Sequence, residues 1–343
     1  MGDLSSSREV HAHDEIRNMT DISYPPSVKL EDRDCPNGCR RLDEPVLEGI
    51  DRIHGIPGRF KVVRCCQCGL MRTNPRPTPQ TIGVYYPDNY APYKADRDAS
   101  HKQRKWRHRA KERIRRFFGR DTRRLPDIPP GHLVEIGCAS GNYLMEVKSR
   151  GWSAEGIEFS NSAADSARRR GLQVQTGSVE SAAPPRESAD VVAAWMVLEH
   201  LHDPVFALGK IRGWLKPDGY FVGVVPDASA FDRKLFGSHW YALHLPAHLY
   251  HFTPSSLEAL LAKAGWELVQ LRWQPNGMNL LNTLDYWAQD QQRPRTLRFV
   301  RWMKHAKRAS TLRRWLGWIL GLTRQSGRME FWAKPANQTK AAP

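Results

Sequence analysis

No uninterrupted run of about eighteen apolar residues occurs in this chain of 343 residues, so no conventional membrane-spanning helix is expected. The opening, MGDLSSSREVHAHDE, is polar and acidic, which excludes a secretory signal and makes the cytoplasm the expected compartment. Its Met-Gly-x-x-x-Ser start fits the myristoylation pattern, a match short enough to arise by chance. Internal repeats are absent. Cysteine is scarce: there are six, and five of them (Cys35, Cys39, Cys65, Cys66 and Cys68) fall within one short stretch. In a chain without a signal, that clustering argues against a disulfide framework and for a metal. Acids are missing where bases crowd. Residues 101–124 hold twelve Lys/Arg against two acids, and residues 293–314 hold nine and no acid. The net charge of +16 therefore belongs to two segments, and the remainder of the chain sums to −3.

With 40% hydrophobic and 26% charged residues the chain can bury a sizeable core, and its length suits two units plus attachments. Residues 1–30 read as a flexible leader. Residues 31–80 carry the cysteines and leave through the extended, Pro-rich TNPRPTPQ. Residues 81–125 form a tyrosine-rich linker and a basic amphipathic helix over 102–118, with Trp106, Ala110, Ile114 and Phe117 on its apolar face. Residues 126–277 form an α/β core. Strands are expected at 132–137, 152–157, 172–176, 189–195, 219–225 and 266–273, with helices at 141–150, 161–170, 203–215 and 254–264 between them. Such alternation predicts a mostly parallel sheet covered on both faces. Residues 278–322 interrupt it with a basic, Trp-containing insertion expected to form two helices. Residues 323–343 supply a final strand at 328–334 and a tail.

The strongest chemical signal is HLVEIGCASGNYL. An apolar strand ends at Glu135-Ile136-Gly137. A turn of small residues, Gly137-Cys138-Ala139-Ser140-Gly141, leads directly into a helix, which lets a ligand approach the backbone. A second strand ends at Glu158, where a carboxylate can accept both hydroxyls of a ribose. A ligand-free turn and a dinucleotide dehydrogenase are the competing readings. The turn lacks the later glycine of a Gly-x-Gly-x-x-Gly pyrophosphate site, however. S-adenosylmethionine is a sulfonium cation that needs no phosphate cradle, and Glu135 suits its positive charge and amino group.

Six segments in order carry a wider resemblance: EIGCASGNYL, EGIEFS, GSVE at 177–180, ADVVAAWMVLEHLHDP, LKPDGYFVGVVPD, and HLPAHLYHFTPSSLEALLAKAGWELV. Together they resemble the class I S-adenosylmethionine-dependent methyltransferases, and more narrowly the subgroup of small-molecule and sugar methyltransferases with an N-terminal zinc knuckle. The resemblance covers roughly residues 31–275 and the final strand. It implies a Rossmann-like, seven-stranded mixed sheet with the last strand antiparallel. It makes Glu135, Gly137, Cys138, Ala139, Gly141, Glu158, Phe159, Ser178 and Val179 the cofactor shell, with Met196 and Glu199 flanking the methionine end. The chain departs from the pattern at Ala139, where glycine is usual, and at Ser178, where an adenine-binding aspartate is common.

An alcohol acceptor benefits from a general base, and histidine is best poised for it near neutral pH. His200 and His202 follow the fourth core strand; His244, His248 and His251 lie after the fifth, in a region that forms an acceptor wall in the resembling family. His200, His248 and His251 are the candidate catalytic residues, against the alternative that each merely caps or packs. Trp240 and Tyr241 fit stacking on a sugar ring and core packing equally.

Cys35-x-x-x-Cys39 and Cys65-x-x-Cys68 form a credible four-thiolate set for structural zinc, with no open position for catalysis. Cys66 is the spare. Both basic segments suggest an anionic surface, and the apolar stripe RWLGWILGL favours a membrane over nucleic acid. A solvated helix face is the alternative. The expectation is methyl transfer to a small-molecule or sugar/glycan-precursor acceptor, at oxygen, in the cytoplasm or peripherally at a membrane. An RNA methyltransferase is the first competitor, although the fourth strand lacks an Asn/Asp-Pro-Pro-aromatic motif. A non-catalytic cofactor-binding or scaffold module is the second.

Overall fold

The computed structural model describes residues 23–87 and 123–336. The basic helix expected over 102–118, most of the expected leader and residues 88–100 of the tyrosine-rich stretch lie outside them.

Five short strands come first: β1 (Leu30–Glu31), β2 (Asp43–Ile50), β3 (Arg59–Cys65), β4 (Met71–Thr73) and β5 (Arg76–Pro77). The α/β alternation follows as β6 (His132–Ile136), α1 (Asn142–Ser149), β7 (Ser153–Glu158), α2 (Asn161–Arg169), β8 (Gln173–Thr176), β9 (Ala189–Trp195), α3 (Pro204–Trp214) and β10 (Leu215–Pro226). Then come α4 (Phe231–Phe236), β11 (Tyr250–His251), α5 (Pro254–Lys263), β12 (Trp266–Trp273), α6 (Met278–Asp290), α7 (Pro294–His305), α8 (Ser310–Leu322) and β13 (Arg328–Pro335).

Seven of these strands form one sheet in the order β12-β13-β10-β9-β6-β7-β8. Strands β6 to β10 pair in parallel, and β13 runs antiparallel between β10 and β12. The central strands are apolar on both faces because helices cover both, leaving Leu133, Val134, Val191 and Val192 with no exposed surface. Local chemistry punctuates the helices. Ser160 caps α2 by accepting the Ala163 N–H, Asp203 caps α3 ahead of Pro204, and Thr253 with Ser256 forms a reciprocal capping box at α5.

A smaller sheet of order β11-β4-β3-β2 joins the cysteine-bearing segment to the core. Its outer strand β11 comes from the chain after β10, and pairs Tyr250 with Arg72 and His251 with Met71. One hydrophobic cluster runs through both units, containing Phe60, Val62, Leu70 and Met71 as well as Leu249, Phe252 and Val225. Arg76 fastens the seam. Its buried guanidinium donates to Glu31, to the Tyr250 hydroxyl and to the His202 carbonyl.

The basic insertion forms three helices where two were expected. Pro294 starts the second, because a helix accepts proline in its first turn but not in its interior, and a 3₁₀ turn at Lys307–Ala309 separates the third. α6 packs inward through Leu281 and Ala288, whereas Phe299, Trp302, Trp315, Trp318 and Ile319 stand exposed.

Candidate active site

The parallel strands end together on one side of the sheet, where α/β folds open a crevice between diverging loops. A cleft of about 1060 Å³ occupies that position. Its inner half is lined by Gly137 and Ala139 after β6, by Glu158 and Phe159 at the end of β7, by Ser178 and Val179 after β8, and by Met196 after β9.

The first turn is shaped by its dihedrals. Gly137, Ala139 and Gly141 all have positive φ, at 69°, 47° and 78°. That region favours glycine, and alanine tolerates it at a cost. At Gly141 a side chain would be strained by the left-handed backbone, and its Cβ would meet Leu172 Cδ1 at 2.2 Å, so the leucine tip would have to move. The turn is locked by its neighbour: Glu158 accepts the Ala139 N–H through one oxygen and the Ser160 N–H through the other, both at 2.8 Å. Burial raises the Glu158 carboxyl pKa, opposed by the N–H groups of Ser160, Ala139 and Phe159.

Glu135, Cys138 and Gly141 do not line the cleft. Glu135 is buried, its Oε2 has no hydrogen-bond partner among the described residues, and burial pushes its carboxyl up to about 8. The Arg123 guanidinium opposes that rise and lies over the Tyr143 ring, 4.7 Å from its centroid. Cys138 is packed beneath the turn, against the bare face of Gly156.

The outer half of the cleft holds imidazoles. His200 sits in a 3₁₀ turn after β9, and His244 and His248 come from the loop before β11. Their rings pack edge to face, with centroids 4.7 Å apart for His200 and His248 and again for His244 and His248. Removal from water lowers all three pKa values: His200 to about 4, His244 to about 3, and His248 well below its ordinary value. They are neutral acceptors at physiological pH. Glu199 lies behind them, fully buried, its carboxyl pushed up to about 8 by the same desolvation. His251 is not part of this wall; it is buried on β11 with Nε2 3.4 Å from the Thr73 hydroxyl. His202 lines the cleft with Nε2 held by the Pro77 carbonyl. Trp240 is core, at 1% exposure, and Tyr241 lines the cleft.

Among the cleft residues that sequence reasoning passed over are His54, Arg76, Tyr86 and Arg328. Tyr86 lay within a visibly tyrosine-rich stretch. Nothing local marks the other three, because they come from β5, β13 and the turn after β2.

Residues 101–271 match the family model of a methyltransferase domain. The chain belongs to the class I S-adenosylmethionine-dependent methyltransferases. This methyltransferase is similar to the ubiquinone biosynthesis O-methyltransferase of Azorhizobium caulinodans, 27% identical over 46% of this chain and 66% of the relative. It is also similar to the same-named protein of Saccharophagus degradans, 25% identical over 40% of this chain and 64% of the relative. The chain thus spans just under two thirds of the length of these relatives. Among solved structures, it resembles the complex between the Haloferax volcanii Trm112 methyltransferase activator and a methyltransferase. That likeness has a TM-score of 0.46 at 16% identity, over 67% of this chain and 93% of the other.

Proposed function

We propose that this methyltransferase moves the methyl group of S-adenosylmethionine to a hydroxyl of a small-molecule or sugar-like acceptor, with the donor in the inner half of the cleft and the acceptor among the imidazoles. One observation carries the reading: a single cavity runs from Glu158 and the small-residue turn to His200 and His248. The relatives named as O-methyltransferases point to the same atom.

Glu158 would accept the ribose hydroxyls through the lone pairs left beside its two backbone bonds. Gly137 and Ala139 leave room for the nucleoside against the backbone, and Ser178 and Val179 would border the base. The donor brings a methyl group already activated by positive charge. As the new O–C bond forms, the S–C bond breaks with its electron pair kept by sulfur, and the hydroxyl proton goes to an imidazole of the outer cluster. The protein's contribution is alignment of the two reactants and a neutral proton acceptor.

Cys35, Cys39, Cys65 and Cys68 would hold a structural zinc ion. Their four sulfurs lie within 4.8 Å of one another, and a four-thiol set matches the tetrahedral preference of zinc. The exposed tryptophans of α7 and α8, among nine cations without an acid, suit an anionic membrane surface on which a lipid-linked acceptor would be presented.

Calorimetry of the zinc-loaded protein with S-adenosylmethionine tests the donor half. Micromolar or tighter binding supports the reading, and no binding at millimolar donor overturns it. For the acceptor half, extracts treated with enzyme and labelled donor should yield a product one methyl heavier whose label survives on oxygen.

A further inference from the structure

Three metal-capable side chains converge at the outer end of the cleft. Glu199, His200 and His248 each offer one ligand atom within 4.8 Å of the other two. Glu199 has 0% exposure, and among the described residues its carboxylate oxygens have no hydrogen-bond partner in another residue, only the pull of their own backbone N–H. A carboxylate taken out of water without partners is costly, and proteins rarely keep one without a purpose. The gap from Glu199 Oε1 to His248 Nε2 is 4.0 Å, too long for a direct hydrogen bond.

The imidazoles are oriented by backbone carbonyls. His200 Nδ1 lies 2.8 Å from the Ala247 oxygen, and His248 Nδ1 lies 2.8 Å from the Ala242 oxygen. A carbonyl only accepts, so each ring carries its proton on Nδ1 and presents a lone pair at Nε2. Tyr86 braces the first ring, with its hydroxyl 2.7 Å from His200 Nδ1. An imidazole tied back through one nitrogen is the arrangement by which proteins aim the other at a metal.

Two neighbours compete for these atoms. His244 Nδ1 approaches His248 Nε2 at 3.3 Å, a long contact that an ion would replace. Arg328, on β13, is the cation whose field reaches Glu199, yet the two form no ion pair among the described residues. Neither neighbour satisfies the carboxylate.

We infer that Glu199, His200 and His248 form a site for a divalent first-row transition cation, distinct from the four-cysteine cluster. Two imidazole nitrogens and one carboxylate oxygen suit manganese, iron, cobalt or zinc, and not the all-oxygen shells of calcium. Three protein ligands leave coordination positions open, and His200 and His248 both line the cavity. The functional half of the inference rests on the acceptor occupying that end of the cleft. There the acceptor oxygen would complete the coordination shell, the cation would favour its deprotonated form, and the hydroxyl proton would pass to His244, the imidazole of the cluster that does not ligate the ion.

The test uses the full-length protein, zinc-loaded at its cysteines and titrated with manganese chloride under electron paramagnetic resonance. One tightly bound manganese per chain is expected, with zinc content unchanged. In Glu199→Gln and His248→Gln, each confirmed folded by circular dichroism, manganese affinity should fall at least about tenfold, a scale on which even supporting residues act. His200→Gln provides a third variant should either fail to fold. Absence of bound manganese in wild-type protein carrying no more than one zinc per chain, or unchanged affinity in the folded variants, overturns the site. Donor calorimetry on the wild type separates the two ideas. Donor binding without manganese binding refutes the cation site alone, and manganese binding without donor binding refutes the proposed function while leaving the site.

Discussion

Glu158 holds Ala139: across the tips of two adjacent parallel strands, its carboxylate accepts the Ala139 N–H at 2.8 Å. The same side chain proposed to grip a ribose therefore also holds the small-residue turn after β6. Glu158→Gln keeps the size but turns one acceptor into a donor facing an N–H. Donor affinity should fall by about 1.5–3 kcal/mol, the range for hydrogen bonds to a charged group, or roughly ten- to hundredfold. Calorimetric affinity within twofold of wild type would show that the carboxylate does not grip the ligand.

Removing the metal proposed at the four cysteines should disturb more than the cysteine-bearing segment. Cys65 ends β3, which pairs with β4, and β4 pairs with β11, whose first residue, Tyr250, lies two residues after His248. Cys65→Ser, or exhaustive chelation, should lower the thermal midpoint by several degrees and depress methyl transfer more than donor binding, since the turn proposed to hold the donor lies on the large sheet. Full zinc content in the variant would remove Cys65 from the ligand set.

Acid should destabilise the fold through His251. In the unfolded chain its pKa is near 6.5, whereas burial, with Arg233 adding to it, holds the folded value down to about 3. Between those values the unfolded state binds a proton that the folded state refuses, so stability declines as pH drops below about 6.5. His251→Gln should flatten the dependence of unfolding free energy on pH between 6 and 4 by up to about 1.4 kcal/mol per pH unit, one proton's worth. Urea melts with equal slopes in variant and wild type would contradict this.

The aromatic face of α8 offers a separate test. Trp315 and Trp318 are exposed and pack edge to face, with ring centroids 5.5 Å apart. Replacing both by serine should reduce co-sedimentation with anionic vesicles several-fold at low salt and leave the fold intact, because neither ring is in the core. Wild-type protein that stays in the supernatant, or that pellets only when RNA is added, argues against a membrane role.

Much of this molecule was legible from local pattern. Strand and helix periodicity depend on neighbours a few residues apart, so β6, β7 and β9 and the turn at 137–141 stand out in the sequence. The division of the basic insertion was misjudged because its basic and apolar residues run on past Pro294, and only the proline and the 307–309 turn interrupt the helix. Tertiary structure alone decided which distant residues meet. No spacing rule places His248 against a turn nearly fifty residues earlier, or brings Arg328 and Tyr86 to the same wall. Nor does any rule tell that His251, three residues from His248, turns away to Thr73. Those placements follow from β11 pairing with β4, and from β13 lying between β10 and β12. Such contacts are selected by burial and hydrogen bonding across the whole fold, which leave no periodic trace in the chain.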